Sequence, residues 1–140
     1  MLSPHERICI RNLLVKWINL NILDYNAGND IFHILDLLDL SNREYTVKKC
    51  IIDKSEYRQL KKSKRKNVKY VFTKKDVFKY VNNDFGVLLI NCDNKKIDIS
   101  KFKKYKGLIL LYNLHNKFYN NSNYIIGSFI SGNVYECQIV

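Results

Sequence analysis

Flexible punctuation is scarce in this chain of 140 residues, which has five glycines and a single proline, Pro4. So little room for linkers argues for one domain over residues 1–140, long enough to bury a proper core. No apolar run approaches the roughly 20 residues needed to span a bilayer. The opening Met1-Leu2-Ser3-Pro4-His5-Glu6 has neither the basic region nor the apolar stretch of an export signal. No membrane partner is therefore expected, and the expected location is the cytoplasm. The four cysteines, Cys9, Cys50, Cys92 and Cys137, form no CxxC pair and read as reduced core thiols. His5, His33 and His115 lie far apart, so no metal site is expected. Neither GxxxxGK[ST] nor GxGxxG occurs, which leaves a phosphate loop unsupported. From these absences the expectation is no cofactor, no small-molecule substrate and no catalysis.

What the chain has in excess is positive charge in one place. Between Lys48 and Lys106 lie 19 of its 24 Lys and Arg residues against six acids, a local excess of 13. Residues 1–47 and 107–140 are slightly acidic and neutral. Charge so confined makes a local field whose natural partner is a polyanion, nucleic acid first and DNA ahead of RNA. With 46% hydrophobic and 13% aromatic residues the chain should fold and not act as a disordered basic tail. Arg58, Lys61, Lys62, Lys64, Arg65, Lys66, Lys101, Lys103 and Lys104 are the candidate phosphate contacts, which position nucleic acid and read little sequence. The run Lys61–Lys66 also reads as a nuclear import tag, or as a solvated loop between strands. Among interleaved aromatics, Tyr57 and Tyr105 are the candidates for stacking on unpaired bases.

Periodicity sets the fold class. Ser3-Pro4-His5-Glu6 is a capping box with Pro at N1, and the apolar residues after it predict a helix over about 4–21. A break at 26–30, with Asn29 or Asp30 as cap, opens a second helix through Leu40. Residues 45–53 are β-rich, and 55–66 are polar and basic. Strands are predicted at 68–72, 86–92 and 108–112, the latter two apolar throughout as in strands buried on both faces. Short helices capped by Thr73 and Asp98 separate them. A hairpin around residues 131–133 ends the chain. The class is α/β: two N-terminal helices (residues 1–42), then a mixed, partly parallel sheet with short covering helices and a C-terminal hairpin (43–140), the basic segment spanning 48–106.

Basic α/β domains of this size raise a second reading, a Mg²⁺-dependent nuclease. It needs an acid on one strand and a D-x-K on its neighbour. Asp93-Asn94-Lys95 supplies the D-x-K, and Asp53 is the remaining partner acid; Mg²⁺ would then be the cofactor. A third reading is a viral accessory protein whose basic face meets an acidic host protein.

The element order, with 6-ERICIRNLL-14 as first helix, Val68-Lys69-Tyr70-Val71-Phe72 as central strand and Val87-Leu88-Leu89-Ile90-Asn91 before the last helix, resembles a known domain. It is similar to the N-terminal jaw domain of the fifth subunit of eukaryotic nuclear RNA polymerases over about residues 5–112. That resemblance implies a restriction-endonuclease-like fold without the nuclease site. It also implies a small transcription-complex subunit gripping DNA beside RNA polymerase subunits, from a virus or a cytoplasmic plasmid. The family's second domain is missing here.

Overall fold

A computed structural model describes residues 2–92, 98–112, 120–121, 124–131 and 134–139. Helix α1 (Pro4–Val15) starts as the sequence predicts. Ser3 Oγ accepts from the Glu6 N–H at 3.1 Å, and Glu6 Oε1 accepts from the Ser3 N–H at 2.9 Å. It ends earlier than the periodicity suggests, because Arg43 donates to the carbonyls of Val15 and Trp17 and satisfies the freed helix end. The chain then enters a strand, β1 (Asn21–Tyr25), between the predicted helix and the break at 26–30, where no element was predicted. Helix α2 (Asp30–Leu40) leads to β2 (Thr46–Ile51). The basic stretch that follows is a helix too: Asp53 caps α3 (Lys54–Lys61), with Glu56 in its first turn and Arg58 and Lys61 in its last, as the helix dipole favours.

Strand β3 (Val68–Phe72) is followed by a 3₁₀ turn at Val77–Lys79 whose cap is Asp76, not Thr73. Strand β4 (Val87–Asn91), a 3₁₀ turn at Ile99–Phe102 capped by Asp98, and β5 (Leu108–Tyr112) come next. Strands β6 (Asn120–Asn121), β7 (Tyr124–Ser131) and β8 (Val134–Ile139) complete the chain, the last two as the predicted hairpin. One sheet results, ordered β3-β2-β1-β4-β5-β8-β7-β6. Strands β1 to β5 are parallel, and β8 runs antiparallel to both β5 and β7. The α/β class with a mixed sheet is therefore present, and its central strand β1 comes from the first 42 residues.

Two cores cover the two faces. Ile10 and Leu14 of α1 and Ile31, Ile34, Leu35 and Leu38 of α2 pack on Ile22, Val47, Val87, Leu89, Leu108 and Leu110. Tyr57 of α3 leans on Phe72 with ring centroids 5.8 Å apart. On the opposite face Val77, Phe85, Phe102 and Tyr105, from the 3₁₀ turns and their connections, cover Leu23, Leu88, Ile90, Ile109 and Leu111. Among the described residues no helix is long and apolar enough to cross a membrane.

Within the helical face sits an ion pair. Asp24 and Lys49, register partners on β1 and β2, have side chains 0% exposed and meet at 2.9 Å. Burial pushes the Asp24 carboxyl above its ordinary range, against the pull of the Lys49 ammonium.

Four variants check this picture by their stability. A Cβ at Gly86 would lie 2.0 Å from the Asn19 carbonyl oxygen, so Gly86→Ala is expected to cost about 1–3 kcal/mol in urea unfolding. Ile18→Ser, at a residue 97% exposed, should stay within about 0.5 kcal/mol. Asp24→Asn strands a buried ammonium and should cost about 3–5 kcal/mol, whereas Asp24→Asn with Lys49→Met should recover most of it. A single Asp24→Asn variant as stable as the wild type would show that the pair is not buried as described.

Candidate functional site

In an open parallel sheet, neighbouring strands whose connections leave in opposite directions diverge at their carboxyl ends and open a crevice there. That switch lies between β1 and β4, since the chain winds outward from β1 through β2 to β3, then returns to β4 and continues to β5. The connection leaving β1 is Tyr25-Asn26-Ala27-Gly28-Asn29-Asp30. Asn26 and Gly28 both take φ of 60°, a conformation open to glycine and tolerated by asparagine. Asn26 N–H still donates to the Cys50 carbonyl at 2.9 Å, extending the β1–β2 ladder by one bond. From the β4 side, the Asn91 side-chain amide donates to the Asn26 carbonyl at 3.0 Å and spans the switch point.

Below this turn the buried pair is also its scaffold. Asp24 Oδ1 accepts from the Ala27 N–H at 3.0 Å. Lys49 Nζ donates to Asp24 Oδ2 at 2.9 Å and to the Gly28 carbonyl at 2.6 Å. A Cβ placed on Gly28 would meet Glu56 Oε1 at 3.9 Å, an ordinary van der Waals distance. Asp53, exposed at the end of β2, caps α3 through Oδ1, which accepts from the Ser55 N–H at 2.8 Å. Asp76, also exposed, caps the turn beyond β3. Carboxylates thus stand at the ends of the strands beside this turn, although Asp53, Glu56 and Asp76 come from the most basic segment of the sequence. Cys50 is no nucleophile, because burial and the Asp24 carboxylate push its thiol up to about 11.

The residues singled out from sequence fall elsewhere, apart from Asp53. Arg58 and Lys61 ride on α3, Lys62 caps its far end, and Lys64, Arg65 and Lys66 lie in the connection that brings the chain back to the amino end of β3. Arg65 is held by Asp36 at 2.8 Å and Asp39 at 3.0 Å. Lys101, Lys103 and Lys104 precede β5, four strand spacings of about 4.8 Å from β3. Tyr105 cannot stack on a base: it is 4% exposed, with its hydroxyl donating to the Phe85 carbonyl at 2.9 Å. Tyr57 is half-buried, against Phe72 on one side and with the Lys61 ammonium 5.6 Å from its ring centroid. Asp93 and Lys95 lie outside the described residues. Among the described residues no cluster of three or more His, Cys, Asp or Glu could hold a metal.

Sequence reasoning missed the turn at 26–30 as a site. With residues 22–25 left without an element, the pattern Asp24-x-x-x-Gly28-x-Asp30 had no strand before it. Asparagine at 26 also stands where a glycine would have drawn attention.

No protein-family model matches the chain, and no curated protein matches it. Solved structures do. The CMeT domain of the citrinin polyketide synthase is similar at a TM-score of 0.55 and 17% identity, over 73% of this chain and 32% of that one; the chain thus spans about a third of its length. The yhhF protein of Escherichia coli, assigned as a methyltransferase, gives 0.62 and 14% over 96% of this chain and 85% of that one. HI0767 of Haemophilus influenzae, assigned as a methylase, gives 0.57 and 19% over 94% and 92%. At such identities the likeness is one of fold. It corrects several expectations. The fold is Rossmann-like, not that of a polymerase jaw or a restriction endonuclease. The readings as a non-catalytic DNA-associated transcription subunit and as a Mg²⁺ nuclease fall with it. So does that of an accessory protein that merely binds. Proteins of this fold described as methyltransferases need a methyl donor, which also overturns the expectation of no cofactor and no small-molecule partner.

Proposed function

We propose that this chain is an S-adenosylmethionine-dependent methyltransferase whose donor lies in the crevice at the carboxyl ends of β1, β2 and β4. The observation that carries this reading is the strand reversal between β1 and β4, which sets the 26–30 turn and the acid ending β2 around one opening. In nucleoside-binding sheets of this topology an acid in that place accepts from the ribose hydroxyls. Asp53 holds it, 25 residues after Gly28, and its capping role uses Oδ1.

The residues present fit such a donor. Gly28 carries no side chain to keep a ligand from the backbone, and the Glu56 carboxylate lies 3.9 Å from where a Cβ would stand. Asp53, Glu56 and Asp76 supply carboxylates that can meet a ligand bearing a sulfonium and an ammonium. When bound, S-adenosylmethionine supplies an electrophilic methyl group, and the acceptor's lone pair displaces the thioether. The chain's task is then to hold the donor and to orient the methyl toward the acceptor.

Isothermal titration with S-adenosylhomocysteine tests the reading directly. The wild type should bind it, and Asp53→Asn, which keeps a capping oxygen but loses the charge, should bind about ten- to a hundredfold more weakly. The thermal midpoint should hardly move. Absence of binding by the wild type at millimolar ligand would end the assignment.

A further inference from the structure

Lys49 has more to do than neutralise Asp24. An ammonium has three protons to place, and here two go to the Asp24 carboxylate at 2.9 Å and the Gly28 carbonyl at 2.6 Å. Its third side meets an aromatic ring, with Nζ 5.6 Å from the Phe32 centroid. The shorter of the two contacts is to the neutral carbonyl, not to the opposite charge. Pairing alone would not require it.

That contact fixes more than one atom. A trans peptide is planar, so its C=O and N–H point to opposite sides. With the Gly28 oxygen drawn down onto a fully buried ammonium, the Asn29 N–H is turned the other way, toward the opening above the turn, where Asn29 is exposed. Glycine at 28 allows the peptide to rotate at little steric cost, since its φ is free to take either sign. Something must therefore choose one orientation, and Lys49 is placed to do so.

We infer that Lys49 is a positioning residue of the donor site: by holding the Gly28 carbonyl inward it presents the Asn29 amide to the ligand. This rests on the methyltransferase reading for the identity of the ligand, but not for the orientation of the peptide. Asp24 has the complementary role, anchoring Lys49 and the Ala27 N–H from below. Phe32, on the first turn of α2, closes the compartment against water.

The test separates holding the carbonyl from neutralising the carboxylate. Asp24→Asn with Lys49→Met removes both charges and fills the space with a side chain of similar length, so the chain should still fold. Asp24→Asn with Lys49→Gln also removes both charges but returns a hydrogen-bond donor. Two readouts are taken on each: the affinity for S-adenosylhomocysteine by titration, and ¹⁵N order parameters of the Gly28 and Asn29 amides without ligand. The Met variant should lose at least about tenfold in affinity, and its two amides should fall from rigid values near 0.85 to below about 0.6. The Gln variant should recover a substantial part of both. Equal behaviour of the Met variant and the wild type, or equal loss in the Met and Gln variants, overturns the inference while the donor reading stands. Should the wild type not bind S-adenosylhomocysteine, the donor reading fails by itself. The amide order parameters then decide the role of Lys49: loosening in the Met variant upholds its hold on the turn, and rigidity overturns it.

Discussion

The buried contact between Asp24 and Lys49 is the constraint on which the carboxyl end of the sheet depends. Both residues lie inside a parallel sheet at register positions opposite one another, where a hydrophobic pair would be the default. Removing two charges from water costs several kcal/mol per ion, and their attraction seldom returns more than that. Stability therefore does not explain the pair. Geometry does, because its spare hydrogen-bonding capacity goes to Ala27 N–H and Gly28 O, the two backbone groups that shape the turn after β1. Two strands, one turn and the start of α2 become a single rigid object. Tyr112, at the end of β5, belongs to the same polar region: burial, then the carboxylates of Asp24 and Asp30, push its hydroxyl far above the usual range.

The two faces of the sheet are covered unequally, and this follows from the winding. Right-handed crossovers from β1 through β2 to β3 put α2 and α3 on one side, and the return to β4 and β5 puts its connections on the other. There the described residues offer 3₁₀ turns in place of full helices. Four large side chains, Val77, Phe85, Phe102 and Tyr105, do the work of covering. The pairing of Phe78 and Phe102, with centroids 4.9 Å apart, links the two turns to each other. A thin layer can suffice because aromatic side chains cover much area per residue.

Much of this was legible in the sequence, and the losses have physical causes. The capping box at Ser3, the strands at 68–72, 86–92 and 108–112, the Asp98 cap and the final hairpin all depend on local chemistry, which sequence displays. Strand β1 was lost because its five residues, between a helix predicted to about residue 21 and the break at 26–30, are too few for a period to declare a strand. Helix α3 was lost because it has no buried residue and so no apolar stripe. Its signature was in the ends, with Asp53 as cap and cations in the last turn. Losing β1 was the costlier error, since without it the order of strands, the switch point and the turn at 26–30 all disappear. The polymerase-like element order then had nothing to contradict it.

The charge imbalance misled for a different reason. A net charge describes the field at distances of a Debye length or more, about 8 Å at physiological salt. It says how the molecule meets partners and little about what a crevice a few ångströms wide will hold. At that shorter range the nearest fixed groups decide, and here they are Asp53, Glu56 and Asp76, three of the six acids within the basic segment. Four cations of the same segment are engaged otherwise: Lys49 beneath the turn, Arg65 between two aspartates, Lys61 and Lys101 over aromatic rings. A segment can thus be strongly basic in sum while the strand ends beside one turn carry carboxylates. Chemistry is set by which charges the fold brings to the ends of β1, β2 and β4, a property of strand order and not of composition.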